Sequence, residues 1–202
     1  VIAVLSGISM ADNHLFHVFP ALVYSALLAA CEKDSGAEEA RRAASKAQRP
    51  DGGLCIREYT SADLSAVSAL FYETVHSVNA AHYTSRQLDA WAPGRDALEA
   101  RKSDFSAQFA LVAVDGDRIV GFGSIDGSGC LDMLYVDKDF QRRGIATALC
   151  DRLEEGFGQV TAYASVRPFF EKRGYAVVRR NTAVRRGVPL TNFEMRKVVR
   201  GA

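Results

Sequence analysis

A β-strand followed by a short polar loop and a glycine-containing helix start is the feature of this sequence that most restricts its fold. Residues 131–136, which are apolar except for Asp132, are typical of a buried strand. A polar loop then leads into Gln-Arg-Arg-Gly-Ile-Ala-Thr at 141–147, which opens a helix predicted over 145–157. The backbone N–H groups of a first helical turn have no partner inside the helix, so together with the helix dipole they attract anions. The sequence therefore predicts a strand–loop–helix unit with an anion site, for which a diphosphate group is the natural occupant.

The side chains of this helix start suit close contact with such an anion. Gly144 has no Cβ, so the backbone can approach a ligand closely and adopt torsions that other residues avoid. Ala146 and Thr147 are small and leave the amides accessible, while Arg142 and Arg143 add positive charge beside them. The segment lacks the Gly-Lys-Ser/Thr ending of a Walker A loop and the spacing of G-x-G-x-x-G, so it is neither of these nucleotide-binding motifs.

The rest of the chain from residue 53 onward predicts strands and helices in mixed order. Apolar spacing after Ser61–Asp63 predicts an amphipathic helix, and Asp-Gly-Asp at 115–117 between two apolar runs predicts a hairpin. The middle of the chain is thus predicted to be an antiparallel meander within a mixed α+β domain. Predicted strands cover 54–59, 109–114, 119–125, 131–136, 160–164, 175–184 and 188–199. Predicted helices cover the segment after residue 63 and residues 85–91, 95–103, 145–157 and 168–173.

Residues 1–52 are predicted to be an N-terminal extension and linker, helical or partly disordered, ahead of one domain over 53–202. Residues 1–31 contain no Lys or Arg, which argues against a secretory signal, and the apolar run at 18–30 is too short to cross a bilayer. The formal net charge of +1, from 25 basic and 24 acidic residues, predicts neither nucleic-acid nor membrane binding. The four cysteines are widely spaced, so they predict no metal site and fit a reducing, cytoplasmic location.

Two short motifs give the chain a resemblance to a known family. Gln141-x-x-Gly144-x-Ala146 after a Leu-Tyr-Val strand resembles the Gln/Arg-x-x-Gly-x-Gly/Ala signature of the GNAT superfamily of N-acetyltransferases. The block Pro-Phe-Phe-Glu-Lys-Arg-Gly-Tyr at 168–175 resembles the family's FYEKxGF segment and lies at the expected distance. The His-Tyr pair at 82–83 and further short segments are similar to the bacterial YafP-like branch of this superfamily.

The resemblance implies a mixed, mostly antiparallel sheet of about seven strands flanked by about four helices. Two neighbouring parallel strands, here 131–136 and 160–164, would splay apart into a V-shaped slot for the pantetheine of acetyl-CoA. The implied reaction is direct attack of a neutral amine on the thioester, without a metal. The residues implied in coenzyme binding are Leu134, Tyr135, Val136, Gln141, Arg142, Arg143, Gly144, Ile145, Ala146, Thr147, Phe169 and Phe170.

The general base in many members of the family is a carboxylate on the strand before the signature. Asp132 is the one carboxylate within residues 130–136, and the family's glutamate more often falls where Cys130 stands. Because strand side chains alternate, Asp132 is expected on the same face as Leu134 and Val136. His82 is the second candidate, since it lies on the segment that usually forms the acceptor side of the cleft. The residues expected to contact the acceptor are His82, Tyr83, Trp91 and Asp132, with structural packing as the alternative for each.

The general acid departs from the family pattern. Many members place a tyrosine near the coenzyme sulfur, and in this chain Phe170 occupies that position and has no proton to donate. Tyr163 and Ser165, at the end of the slot strand, are the nearest hydroxyl groups along the chain. Tyr163 is the first candidate for the general acid and Ser165 the second, and departure of the thiolate without a specific acid is a further alternative. Tyr135 is also possible, although its side chain is expected on the face opposite to that of Leu134.

Residues 167–200 carry ten basic groups against two acidic ones. A solvated pair of basic strands is one interpretation, and contact with the coenzyme 3′-phosphate or an acidic acceptor is the other. Nucleic acid is disfavoured because interleaved stacking aromatics are absent.

The predicted function is acetyl-CoA-dependent N-acetylation of a small-molecule primary amine. There are three alternatives: an aminoglycoside N-acetyltransferase conferring antibiotic resistance, an acetyltransferase of protein amines, and a non-catalytic acyl-CoA-binding domain. Because dimers are frequent in the family, a homodimer is also possible.

Overall fold

The computed structural model describes residues 53–199, so the predicted extension over 1–52 and the last three residues lie outside the described part. None of the helices in the described range has the length and apolar character needed to cross a membrane. The strands are β1 (Leu54–Glu58), β2 (Phe109–Asp115), β3 (Arg118–Ile125), β4 (Cys130–Val136), β5 (Gln159–Ala164), β6 (Ala176–Arg185) and β7 (Val188–Val198). The α-helices are α1 (Leu64–Ser77), α2 (Ser85–Trp91), α3 (Lys102–Ala107), α4 (Ile145–Leu153) and α5 (Arg167–Lys172).

The seven strands form one sheet in the order β1-β2-β3-β4-β5-β7-β6. Every neighbouring pair is antiparallel except β4 and β5, which run parallel. The connection between these two strands passes through α4, because a parallel pair requires a crossover. This topology confirms the predicted mixed, mostly antiparallel sheet and the hairpin meander from β2 to β4.

Helices cover both faces of the sheet, and each face has its own apolar core. On one face, called the α4 face, Leu134 packs in a core with Ile145 of α4 and Phe170 of α5. On the other, called the α1 face, Tyr135 packs in a core with α1, α2 and α3, and its ring meets that of Phe71 edge-on at 5.1 Å. Burial of side chains of this size stabilises the fold by about 1.5–3 kcal/mol each. Consecutive residues of β4 therefore serve different cores, as the pleat of a strand requires.

Two helices differ from the lengths predicted by sequence pattern. The helix predicted over 145–157 ends at Leu153, ahead of Gly156, whose φ of 84° lies outside the helical range. The helix predicted over 95–103 is replaced by a 3-10 turn at Glu99–Arg101 followed by α3. The N–H of Leu98 donates to the hydroxyl of Ser68 in α1 at 3.1 Å, so a tertiary contact overrides the local helical propensity.

Candidate active site

A gap opens in the sheet between the parallel strands β4 and β5. The two strands pair at Cys130 with Thr161 and at Leu131 with Ala162, and they separate beyond these residues. On its other side β4 stays paired to β3 as far as Val136, so the gap exposes the β5-facing backbone groups of β4. Backbone groups at such an edge can hydrogen-bond to an extended ligand as to an added strand. The predicted V-shaped slot is therefore present.

A cleft of about 460 Å³ lies at the mouth of this gap on the α4 face. Its walls come from the end of β4, the following loop, the first turn of α4 and the segment that opens α5. The residues of the predicted coenzyme set that line it are Val136, Gln141, Arg142, Gly144, Ile145, Ala146, Thr147 and Phe169. Lining residues outside the predicted coenzyme set are Phe140, Val166, Pro168 and Lys172.

The backbone at the start of α4 has the geometry of an anion site. Arg142 (φ 62°) and Gly144 (φ 80°) adopt left-handed conformations on either side of Arg143, and the helix begins at the next residue. Left-handed residues in such a turn aim successive N–H groups into one concavity, and the helix dipole adds to their field. The Nε2 of Gln141 is buried and has no hydrogen-bond partner among residues 53–199, so it is a donor that an anionic oxygen can satisfy. This set of donors fits a diphosphate group.

The two arginines of the helix start have different surroundings. Arg142 lines the cleft together with Lys172 of α5. The Arg143 guanidinium lies 4.6 Å from the ring centre of Phe140 and donates to the backbone carbonyl of Asp139 at 3.2 Å. Arg143 therefore braces the loop before α4, while Arg142 and Lys172 supply positive charge to the cleft itself.

Of the predicted coenzyme residues that do not line the cleft, three have side chains buried in the cores. Leu134 and Phe170 are fully buried in the α4-face core, and Phe170 supports Phe169 at 5.1 Å between ring centres. The side chain of Tyr135 projects into the α1-face core, where burial raises its pKa above the ordinary range. The strand pleat and tight packing leave only the backbone of Leu134 and Tyr135 for a ligand in the gap.

Asp132 lies on the α1 face, opposite to the face expected from strand alternation. The adjacent residues Ser124 and Ile125 of β3 pair with Met133 and Leu131, so Asp132 is an extra residue in β4, which forms a β-bulge. Leu131 belongs to the α4-face core and Met133 to the α1-face core. The expectation that Asp132 shares a face with the residues two and four positions later is therefore wrong, because the bulge resets the side-chain period.

Asp132 is held in a buried ion pair. Arg101 donates from Nη2 to Oδ2 of Asp132 at 2.8 Å, Gln108 donates from Nε2 to the same oxygen at 3.2 Å, and the aspartate side chain is 4% exposed. Arg101 and Gln108 precede Asp132 by 31 and 24 residues, so no local pattern in the sequence connects the three. The carboxylate anchors the segment before β2 to the bulge through Oδ2, which accepts both of these hydrogen bonds.

Tyr163 lies on the α1 face of β5, since its neighbour Ala162 is in the α4-face core. It begins a row of polar residues across the sheet: Tyr163 pairs with Glu194 of β7, which pairs with Arg179 of β6. Glu194 accepts from Arg179 Nε at 2.7 Å and from Arg196 Nη2 at 2.8 Å, and these hydrogen bonds lower its pKa. Burial, followed by the charge of Glu194, raises the pKa of Tyr163, so the hydroxyl remains protonated at neutral pH. The local sequence does not indicate a role for Glu194, because it is a single acidic residue within a basic segment.

Apart from Asp132, the predicted acceptor residues are either packed against β7 or exposed to solvent. The hydroxyl of Tyr83 donates to the backbone carbonyl of Thr191 in β7, and its ring meets the buried Trp91 edge-on at 5.4 Å. Burial raises the pKa of Tyr83 to about 12. Tyr83 and Trp91 thus clamp α2 and the turn before it onto β7. His82, also in the turn between α1 and α2, is exposed to solvent.

Metal ligands and reactive thiols are not features of this site. Within residues 53–199 no group of three or more His, Cys, Asp or Glu side chains is placed to hold a metal ion. Burial, together with Asp126 and Asp132, raises the pKa of Cys130 to about 12. Cys150 is fully buried in α4. Both thiols are therefore neutral near pH 7 and pack as small apolar groups.

Comparison with known proteins assigns the family. A family model described as an acetyltransferase (GNAT) domain matches residues 79–197. The uncharacterized N-acetyltransferase YafP of Escherichia coli K12 is 35% identical over 144 residues, which cover 70% of this chain and 93% of YafP. The chain therefore belongs to the GNAT family of acetyltransferases.

Solved structures agree with this assignment. A GCN5-related N-acetyltransferase from Rhodopseudomonas palustris superposes with a TM-score of 0.66 at 32% identity, covering 76% of this chain and all of its own. The PaiA N-acetyltransferase from Thermoplasma acidophilum, solved in complex with coenzyme A, superposes with a TM-score of 0.59 at 17% identity, covering 72% of this chain and 99% of its own. The first likeness extends to sequence, and the second is a likeness of fold.

Proposed function

We propose that this chain transfers the acetyl group of acetyl-CoA to a primary amine of a small-molecule acceptor by direct attack within a ternary complex. The observation that carries the proposal is the gap between β4 and β5, with a cleft that fits a diphosphate at its mouth. The start of α4 offers donors to the coenzyme diphosphate, and the open edge of β4 offers backbone groups to the pantetheine amides. PaiA, which shares this fold, holds coenzyme A in its own structure.

The position of the cleft determines the side from which the acceptor approaches. The cleft occupies the α4 face, so the amine reaches the thioester from the α1 face of the same gap. Acetyl-CoA supplies the activated acyl group. The nitrogen lone pair forms the new bond to the carbonyl carbon as the carbon–sulfur bond breaks, one proton leaves the amine, and one goes to the thiolate.

The α1 face offers a proton donor and two candidate bases for these proton transfers. Tyr163 is assigned as the donor to the thiolate, because its hydroxyl is protonated and lies on the strand beside the gap. Asp132 is the candidate base on the opposite side of the gap, where Arg101 holds it. His82, exposed in the turn after α1, is the alternative base.

The proposal is tested with purified protein, acetyl-CoA and a panel of aminoglycosides, polyamines, amino acids and lysine peptides. Free thiol is followed over time, and acetylated acceptors are identified by mass spectrometry. Thiol release with one acceptor class supports the transferase and identifies its substrate together. Absence of both thiol release and a thermal shift with acetyl-CoA overturns the proposal.

A second candidate function is binding of acyl-CoA without turnover. It is favoured by two observations: Asp132 is occupied by an ion pair, and Phe170 stands fully buried where the family often has its acidic tyrosine. A thermal shift with acetyl-CoA without thiol release from any amine in the panel supports this alternative over the transferase.

A further inference from the structure

Three uncharged polar side chains lie together on the α1 face at the open end of the gap. Asn79, in the turn after α1, donates from Nδ2 to the hydroxyl of Ser165 at 3.4 Å. Ser165 follows β5, and continuing the pairing of Ala164 with Phe193 places it beside Asn192 of β7. Strand alternation puts Ser165 and Asn192 on the face of Tyr163 and Glu194, so the group borders the gap opposite the coenzyme cleft.

Both asparagines of this group are completely buried, and each retains an unsatisfied atom. The Oδ1 of Asn79 and the Nδ2 of Asn192 have no hydrogen-bond partner among residues 53–199. The Oδ1 of Asn192 accepts from Asn181 Nδ2 at 2.8 Å, so its amide is oriented by the neighbouring strand β6. Buried polar atoms without partners are rare and costly in folded proteins, so each of these two atoms needs a partner, which a bound ligand or an internal water can supply.

The two unsatisfied atoms are complementary to one chemical group. An oxygen acceptor on Asn79 matches an N–H, and an N–H donor on Asn192 matches a carbonyl oxygen. A carboxamide or a peptide unit offers both, whereas a simple alkyl amine offers no carbonyl. The two carboxylates described on this face, Asp132 and Glu194, are already paired with arginines, so the asparagine pair offers its hydrogen bonds without an unpaired carboxylate from either of them.

We propose that Asn79 and Asn192 bind a carboxamide or peptide group adjacent to the acceptor's amine, so that the acceptor class is an amino amide or a peptide-like amine. This inference rests on the proposed acetyltransferase function and deepens it. The amine then extends from the asparagine pair toward the thioester in the gap, while its amide group remains held on the α1 face.

The inference is tested with three amine probes at saturating acetyl-CoA: glycinamide, glycine methyl ester and propylamine. They present an amide, a carbonyl without the N–H, and neither group. Rates are expressed per neutral amine, which removes differences in the fraction protonated, and the higher intrinsic nucleophilicity of neutral propylamine opposes the expected order. We expect kcat/KM to be highest for glycinamide and lowest for propylamine, with about a tenfold difference for each hydrogen bond lost.

Two near-isosteric variants locate the effect. Asn79→Leu and Asn192→Leu are each expected to lower kcat/KM for glycinamide about tenfold, with propylamine rates and the KM for acetyl-CoA unchanged. Thr74→Val is the matched control, because Thr74 is a buried residue of α1 whose hydroxyl also lacks a partner in the described part of the chain. It is expected to keep the wild-type order of the three probes.

The outcomes separate this inference from the proposed function. Wild-type turnover with equal rates for the three probes overturns the inference and leaves the transferase in place. The inference is also overturned, and the transferase left in place, if the leucine variants lose thermal stability but keep the wild-type order of rates. In the wild type, an internal water then satisfies the two amides. Absence of thiol release with all three probes and with the wider amine panel removes the transferase proposal, and the inference with it.

Discussion

In the proposed enzyme, the two faces of the gap recognise their ligands by different means. On the α4 face, the cleft is built around backbone N–H groups at the start of one helix, with small side chains that leave them open. On the α1 face, the groups beside the gap are side chains from four separate segments, held by ion pairs and hydrogen bonds. A site made from one contiguous backbone segment can serve an invariant ligand. A site assembled from scattered side chains can be altered one residue at a time.

The largest effect is expected from a charge placed in the backbone site of the α4 face. Gly144→Glu forces a left-handed φ on a residue with a Cβ, at a cost of about 1–2 kcal/mol, and sets a carboxylate beside the diphosphate. We expect acetyl-CoA affinity, measured by calorimetry, to fall at least about a hundredfold.

Gly156→Glu is the matched control for this change. Gly156 has a φ of 84°, follows the same helix, and a Cβ there meets no atom within 4 Å, as at Gly144. Its variant suffers the same backbone strain away from the cleft and should retain wild-type affinity. Equal affinity of the two variants would show that the start of α4 does not hold the diphosphate.

A smaller effect, confined to the chemical step, is expected on the α1 face. Tyr163→Phe removes the assigned proton donor, so kcat should fall about a hundredfold while the KM for acetyl-CoA stays constant. Tyr175→Phe is the control, because the hydroxyl of Tyr175 donates to Glu154 on the α4 face at 2.9 Å. If both variants keep wild-type kcat, the thiolate departs without help from Tyr163.

Asp132→Asn distinguishes a base from an anchor. Loss of the charge leaves Arg101 beside a neutral amide, so the free energy of unfolding should fall by about 2 kcal/mol, and kcat about tenfold at neutral pH. Adding Arg101→Gln removes the stranded cation and should restore part of the stability, as measured in urea. Recovery of kcat in the double variant would mean that Asp132 only anchors the bulge.

The smallest effect is a pH dependence of the α1 face. Asp63, just before α1, accepts two hydrogen bonds of 2.7 Å from Arg57 in β1, and this contact lowers its pKa to about 2 from 3.8. The stabilisation is complete above about pH 4 and is lost as the pH falls toward 2, because the unfolded chain takes up the proton first.

This contribution should be about 1 kcal/mol, since Arg57 is partly exposed and solvent screens the pair. Comparing urea unfolding at pH 5 and pH 2.5 in wild type and in Arg57→Ala isolates it. The variant should lose less stability than wild type between the two pH values, and an equal loss would contradict the assignment.

The sequence predicts the α4 face better than the α1 face for a physical reason. The run from Gln141 to Thr147 is contiguous, so its backbone geometry depends on local residue types that can be read directly. The position of Asp132 depends on a bulge that only the pairing with β3 reveals. Asn79 and Asn192 are more than a hundred residues apart, and nothing in the pattern around either one indicates the other.

Helix boundaries show the same division between local and distant causes. The exact span of α2 follows from local signals, since Thr84 caps its start through Gln87 and a proline lies just beyond its end. The segment at 95–103 has helical composition, yet Ser68 of α1 takes the N–H of Leu98 and a 3-10 turn results. Distant contacts of this kind are invisible to a local pattern.

The single parallel pairing in the sheet has a mechanical consequence. Only two residue pairs join β4 to β5, so this seam is the weakest line across the described sheet. Side-chain hydrogen bonds also connect the two sides of this seam. Glu154, after α4, accepts from Lys197 of β7, and Tyr83, in the turn before α2, donates to the backbone of the same strand. A ligand that lies in the gap and hydrogen-bonds to β4 takes the place of strand pairing that β5 does not provide there. In the proposed enzyme, release of this ligand leaves β4 and β5 joined by their two residue pairs, the connection through α4 and side-chain contacts, so the mechanical resistance of this seam changes in each turnover.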